Sequence, residues 1–85
     1  MENRMVKIVA IDDNTDNLIS LRALINEAFP NAEFYMETNG IQGIELVAAK
    51  RPDVVLLDVV MPGMDGFEVC ERLKEDSELC DIPVV

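Results

Sequence analysis

Four short, mostly apolar segments recur along the chain, and longer amphipathic segments separate them. These segments cover residues 7–11, 32–37, 54–57 and 81–85. The first and third are nearly continuous runs of valine, isoleucine, leucine and alanine, which is typical of strands covered by helices on both faces. The second alternates apolar and polar side chains and therefore indicates a half-covered strand at the edge of a sheet.

The amphipathic segments carry apolar side chains at helical spacing. The first helix is predicted to begin at the capping sequence Asn14-Thr15-Asp16 and to stop at Pro30. The second ends at the basic residues before Pro52, and the third begins near Gly66. The predicted inward faces are Leu18, Leu21, Leu24, Ile25 and Ala28 in the first helix, Ile41, Ile44, Val47 and Ala48 in the second, and Phe67, Cys70 and Leu73 in the third.

The resulting order β-α-β-α-β-α-β predicts an α/β fold with right-handed crossovers and a parallel sheet. The chain has 85 residues, which allows one domain with a modest core. Its net charge of −10 argues against binding to nucleic acid or to anionic membranes, but it suits a cation site. We expect no signal peptide, because the apolar run at residues 6–11 is short and is followed by two aspartates, and no apolar stretch reaches the ~20 residues of a membrane span.

Cysteine usage agrees with a reducing compartment. The chain has two cysteines, Cys70 and Cys80, and no histidine, so it has no zinc-binding pattern. We therefore expect free thiols in the cytoplasm, with Cys70 acting as a small core residue.

Acidic residues stand where two of the predicted strands end: Asp12 and Asp13 after the first, and Asp58 after the third. Ligands of open α/β sheets bind at the carboxyl ends of the strands, where these acids would meet. Each like-charge pair at about 4 Å costs roughly 4 kcal/mol at an effective dielectric near 20. Either one carboxyl group stays protonated or a hard divalent cation binds among them. Mg²⁺ prefers oxygen ligands and leaves positions for a phosphoryl group, and a carboxylate beside it could form an aspartyl phosphate.

Each acidic motif also has a purely structural interpretation. Asp12-Asp13 could be turn and helix-cap chemistry, and Asp58 could be a turn residue. Asp65-Gly66 is predicted to cap the third helix, and Pro62-Gly63 is predicted to form a rigid turn. The functional interpretation depends on the combination, in which two buried strands deliver acids to one sheet edge.

Taken together, these motifs resemble the response-regulator receiver domain of two-component signalling. The resemblance runs along the whole chain and implies a flavodoxin-like fold with strand order 2-1-3-4 for the part present. The matching residues are Ile8-Val9-Ala10-Ile11-Asp12-Asp13, Leu56-Leu57-Asp58, Met61-Pro62-Gly63-Met64-Asp65-Gly66 and Ile82-Pro83-Val84-Val85.

The resemblance also implies roles for individual residues. Asp58 would be the phosphoacceptor, and Asp12 and Asp13 would place Mg²⁺, Asp13 directly and Asp12 largely through water. The backbone carbonyl of Val60 would complete the protein's metal ligands together with Asp58. The phosphoryl donor would be a phosphohistidine on a sensor histidine kinase or a phosphotransfer protein. Such a domain is not an enzyme in the usual sense, since it promotes only its own phosphorylation and slow dephosphorylation.

A complete receiver continues beyond the last matching segment through the rest of strand four, helix four, strand five and helix five. Residues 1–85 are therefore expected to form a partial receiver domain. The Ser/Thr, Lys and aromatic residues that receivers carry in those later elements have no counterpart up to Val85. An apolar fourth strand at the sheet edge would favour a homodimer or a domain swap.

The sequence leaves two other functions open. A non-phosphorylated protein-interaction domain could keep the same fold. A Mg²⁺-dependent phosphohydrolase with an Asp nucleophile is disfavoured, because such enzymes carry a second acid two residues after the nucleophile, and that position is Val60. For the receiver, the expected kinase contact is the helix face with Asp16, Asn17 and Leu18, beside the acids.

Overall fold

The computed structural model describes residues 6–58 and 66–85. It confirms the predicted alternation of strands and helices as far as the third helix, with β2 beginning at Glu33 rather than Ala32. The elements are β1 (Lys7–Ile11), α1 (Thr15–Ala28), β2 (Glu33–Glu37), α2 (Gly40–Lys50), β3 (Val54–Leu57) and α3 (Gly66–Glu75).

The three strands form a parallel sheet in the order β2-β1-β3, as predicted. The fourth apolar segment lies beside β3, where the 2-1-3-4 order requires it, but it forms an isolated parallel bridge between Val55 and Val84 rather than a full strand. The backbone N–H of Val55 donates to the Pro83 carbonyl at 2.9 Å, and the N–H of Val85 donates to the Val55 carbonyl at 2.9 Å.

The main core lies on the sheet face that α2 and α3 cover. Successive side chains of a strand point to opposite faces, so Val9 and Ile11 of β1 share this face. The buried cluster consists of Val9, Ile11, Val47, Val55, Val69, Leu73 and Leu79. On the opposite face, buried Leu18 of α1 shares a groove with Ala10 of β1. β2 occupies the predicted edge, although all five of its residues are half-buried and the alternation in its sequence produces no alternation of burial.

Two helices begin with the same capping arrangement. Asn14 caps α1 and Asn39 caps α2, each with an extended backbone and a side-chain oxygen that accepts backbone N–H groups of the first turn. In α1 the donors are the backbone N–H groups of Asp16 at 2.9 Å and Asn17 at 3.3 Å. In α2 they are those of Ile41 at 2.9 Å and Gln42 at 3.1 Å. The predicted Asn cap of α1 is therefore confirmed, and it starts this helix directly after the acidic pair.

The predicted inward face of the third helix is wrong at Phe67, which is 72% exposed. The buried positions of α3 are Gly66, Val69 and Leu73, and Cys70 is half-buried with a free thiol. Residues 66, 69 and 73 lie on one helical stripe, and Phe67 is rotated about 100° from Gly66. Leu24 and Ile41, also predicted inward, are mostly exposed, and Ala28 and Ala48 from the same predicted faces are exposed as well.

None of the helices in the described part of the chain has the length and apolar character needed to cross a bilayer.

Close packing between α2 and β1 depends on Gly43. A Cβ atom at this position would lie 2.5 Å from Cδ1 and 2.8 Å from Cγ1 of Ile11, which is fully buried and directly precedes Asp12. Glycine in a helix interior costs about 1 kcal/mol relative to alanine, so the close approach explains why a helix would carry it here.

We predict that Gly43→Ala destabilises the fold by about 1 kcal/mol, because overpacking of a core costs about 1–3 kcal/mol and exceeds the helix-propensity gain. Urea unfolding measures the change. Ile11→Val removes Cδ1, the atom closest to the added methyl. The double variant should therefore lose less free energy of unfolding than the two single variants lose when their losses are added. If the losses of the two single variants simply add in the double variant, the close approach of residues 43 and 11 would be contradicted.

A polar cluster on β2 perturbs the only tyrosine of the chain. The Tyr35 hydroxyl donates a short hydrogen bond to the Glu33 carboxylate, and the Lys50 ammonium group lies 4.8 Å from the ring centroid. The hydrogen bond to Glu33, partial desolvation and the negative charge of Glu33 raise the pKa of Tyr35 above its ordinary value of 10.0. The hydrogen bond thus stabilises the fold below pH 10 and is lost as the pH rises through the raised pKa.

We predict that the tyrosinate absorbance of the protein titrates above pH 10.0, the ordinary value of the phenol. Glu33→Gln should lower the midpoint, because it removes the charge that opposes phenolate formation. Glu27→Gln, which makes the same charge change on exposed α1, serves as the control and should leave the midpoint in place. Equal midpoints for the wild type, Glu33→Gln and Glu27→Gln would refute the interaction between Tyr35 and Glu33.

Candidate metal centre

The predicted convergence of the acids is present in the structure. Asp12 and Asp13 directly follow β1, and Asp58 directly follows the adjacent parallel strand β3. The backbone N–H of Asp58 donates to the carbonyl of Ile11 at 2.9 Å, which ties the ends of the two strands together. One carboxylate oxygen from each of the three acids lies within 4.8 Å of the others. Asp12 and Asp58 are half-buried, whereas Asp13 is exposed.

Asp12 is held through both its backbone and its carboxylate. Its N–H donates to the Glu37 carbonyl at the end of β2 at 3.1 Å. Its Oδ1 accepts the backbone N–H of Asn14 at 2.9 Å, and its Oδ2 accepts the side-chain amide of Asn17 at 3.3 Å. The start of α1 therefore supplies a donor to each oxygen of this carboxylate.

The donor set suits a hard cation. Carboxylate oxygens are the ligands that Mg²⁺ prefers, and three of them at this separation repel one another unless a positive charge offsets them. The two donors to Asp12 and the positive end of the α1 dipole offset part of that repulsion. Val60, the fourth predicted metal ligand, and the turn residues Pro62, Gly63 and Asp65 lie outside the described residues.

An apolar groove of about 320 Å³ opens beside the acids, between α1 and the sheet. Asp12 and Asp58 both line it, so two of the three acids stand at the boundary between an apolar surface and water. The remaining lining residues are Ala10, Ile11, Leu18, Leu21, Leu56, Leu57 and Val85.

The predicted kinase-contact face is wrong in one residue. Leu18 is only 2% exposed and packs inward, so it is not available to a partner. Asp16 and Asn17 are exposed beside the acids. Sequence reasoning missed the contact of Asn17 with Asp12; the available signal was an amide in the first turn of a helix that starts directly after two acids.

Comparison with known proteins identifies the arrangement. The family model described as the response regulator receiver domain matches residues 8–85. This chain belongs to the receiver-domain family. Receiver domains are phosphoacceptor signalling domains that work with histidine kinases or phosphotransfer proteins, and they generally bind Mg²⁺ through acidic residues. The sequence-based identification of the chain as a response-regulator receiver is confirmed.

Individual relatives agree with this assignment. The receiver is 35% identical to Protein PilH of Pseudomonas aeruginosa over 95% of the chain, which corresponds to 65% of PilH. It is 44% identical to sporulation initiation phosphotransferase F of Bacillus subtilis over 85% of the chain and 56% of that protein. The chain thus spans less than two thirds of the length of these relatives.

Solved structures confirm the predicted flavodoxin-like fold. The N-terminal domain of a response regulator receiver protein from Methanoculleus marisnigri JR1 superimposes with a TM-score of 0.88 at 31% identity. The match covers 95% of this chain and 64% of that one.

Proposed function

We propose that this receiver accepts a phosphoryl group on Asp58 from a phosphohistidine of a sensor histidine kinase or phosphotransfer protein. Asp12, Asp13 and Asp58 would hold Mg²⁺, with the backbone carbonyl of Val60 as a further ligand. The observation that carries the proposal is the approach of three carboxylate oxygens to within 4.8 Å in a chain of this family. The similarity to a protein named as a phosphotransferase supports it.

The chemistry assigned to Asp58 is nucleophilic. A carboxylate oxygen attacks phosphorus, the new O–P bond forms as the P–N bond to histidine breaks, and the imidazole leaves with the bonding electrons. The hydrogen bond from the Asp58 N–H to Ile11 fixes the backbone that carries the nucleophile, which reduces the entropy cost of alignment. When bound, Mg²⁺ supplies positive charge that offsets the charge on the phosphoryl oxygens.

Dephosphorylation reverses the modification without the kinase. Water attacks phosphorus, the acyl phosphate O–P bond breaks, and inorganic phosphate and the free Asp58 carboxylate are released. This slow hydrolysis and the phosphotransfer are the only reactions that we assign to the chain. We place them in the cytoplasm, in agreement with the free thiols of Cys70 and Cys80.

We predict that Asp58→Asn abolishes phosphorylation, because the amide cannot form an acyl phosphate. The protein is incubated with Mg²⁺ and labelled acetyl phosphate, and hydroxylamine-sensitive label is counted; Mg²⁺-dependent binding of beryllofluoride is measured in parallel. Asp81→Asn makes the same change at an exposed acid outside the cluster and should retain both signals.

The outcomes separate the candidate functions. A wild-type chain that shows neither label nor beryllofluoride binding would contradict the phosphoacceptor proposal and favour a non-phosphorylated interaction domain. Label that persists in Asp58→Asn would place the modification on another residue. Turnover of phosphate esters by the wild type would favour a phosphohydrolase.

As a second candidate function, we propose self-association through the sheet edge at residues 83–85. Phe67 is 72% exposed and Val85 is 76% exposed, and both line an apolar pocket of about 140 Å³. Exposed apolar surface beside a strand edge favours pairing with another chain. The net charge of −10 on each chain opposes that pairing.

We predict that the dimer fraction rises with ionic strength, because salt screens the repulsion between two acidic chains. Light scattering coupled to size exclusion at low and high salt measures this fraction. Phe67→Ser should reduce it, whereas Ile41→Ser, at an exposed apolar residue of α2 outside the pocket, should not. A monomer at every salt concentration would refute self-association.

A further inference from the structure

We propose that Asn17 is a positioning residue for the metal site, which it serves by holding the carboxylate of Asp12 in place. The inference rests on the proposed function, since it assigns Asn17 a role only if the three acids bind Mg²⁺. It concerns the side-chain amide of Asn17, which donates to Oδ2 of Asp12 at 3.3 Å.

The two hydrogen bonds to Asp12 act on different oxygens. The backbone N–H of Asn14 binds Oδ1, and the Asn17 amide binds Oδ2. With only the first bond, the carboxylate could still turn about the axis of its side chain; the second bond restrains that rotation. A carboxylate has about four acceptor positions, so both oxygens keep capacity for a cation or for its water ligands.

The presence of asparagine at position 17, rather than glutamate or glutamine, fits a role beside the acids. In a capping box the third helical residue is usually Glu or Gln, and its side chain accepts the N–H of the capping residue. Here Asp12 already accepts the N–H of the capping residue Asn14. A carboxylate at position 17 would suit the helix dipole, but it would add another negative charge near the cluster, where the first turn already carries Asp16. Asparagine, a poorer helix former, is neutral and donates to the neighbouring acid.

The chain contains an internal control for this position. Gln42 is the third residue of α2, after the cap Asn39, just as Asn17 is the third residue of α1, after the cap Asn14. Both caps accept backbone N–H groups of the second and third helical residues. In the described part of the chain, neither α2 nor its cap contributes an acid to the cluster, so substitution of Gln42 reports what loss of a first-turn amide does to a helix alone.

Loss of the Asn17 amide should weaken Mg²⁺ binding by about tenfold, the lower end of the range for groups that orient a metal ligand, because Asn17 is exposed. The Mg²⁺ concentration for half-maximal phosphorylation should rise by the same factor. The maximal rate at saturating Mg²⁺ should stay unchanged, since the nucleophile Asp58 is untouched.

The decisive comparison uses Asn17→Gln and Asn17→Met, whose side chains have similar length and differ in the amide donor. Calorimetry with Mg²⁺ gives the affinity, and thermal melting without metal checks the fold. Asn17→Gln should recover most of the wild-type affinity, and Asn17→Met should show the loss. Gln42→Met is the matched control and should bind Mg²⁺ like the wild type.

A metal-free measurement tests the contact itself. The side-chain amide signals of Asn17 in a proton–nitrogen NMR spectrum should shift when Asp12→Ala removes the acceptor, and those of Gln42 should not.

Results that would contradict the role of Asn17 can be told apart from results that would contradict the metal site. Equal Mg²⁺ affinity of Asn17→Met and the wild type, tighter binding by Asn17→Met, or an equal loss in Gln42→Met would each overturn the role of Asn17 while leaving the phosphoacceptor proposal intact. A wild-type chain that binds no Mg²⁺ would overturn the role of Asn17 together with the proposed metal site, whatever the NMR signals show.

Discussion

The parallel pairing of β1 with β3 is the constraint on which the rest of this molecule depends. Both strands end at the same edge of the sheet, and the hydrogen bond from Asp58 to Ile11 prevents the two ends from separating. The acids that follow are thereby brought together although they repel one another. The core below them, built from Val9, Ile11 and Val55 with α2 and α3, stabilises an arrangement that the charges alone would oppose.

The polar groups around the acids show how the chain limits this repulsion. The start of α1 contributes a backbone donor, a side-chain donor and the positive end of a helix dipole, all next to Asp12. Asp13 is exposed and keeps its contact with water. The two neighbouring acids thus differ in their surroundings, since Asp12 is held by hydrogen bonds and Asp13 is exposed; their separate roles toward a metal ion stay a prediction.

Much of the fold and the site could be predicted from the sequence because they follow from topology. Continuous apolar runs that end in acids identify β1 and β3, and parallel pairing then requires that Asp12, Asp13 and Asp58 meet. The direction in which individual side chains point was harder to predict from the sequence. Helical periodicity leaves the choice between neighbouring stripes open, and α3 buries the stripe of Gly66, Val69 and Leu73 while Phe67 is exposed. The contact of Asn17 with Asp12 depends on the turn that joins them, which no periodic pattern encodes. The metal role of Val60 stays a prediction.

The groove beside α1 has a consequence for the electrostatics of the acids. Asp12 and Asp58 border an apolar wall on one side and water on the other. Anything that filled the groove would displace that water and lower the local dielectric constant, so the attraction of the carboxylates for a cation would grow. Filling the groove and loading the ion would then favour each other, and thermodynamic reciprocity requires the coupling to be equal in both directions.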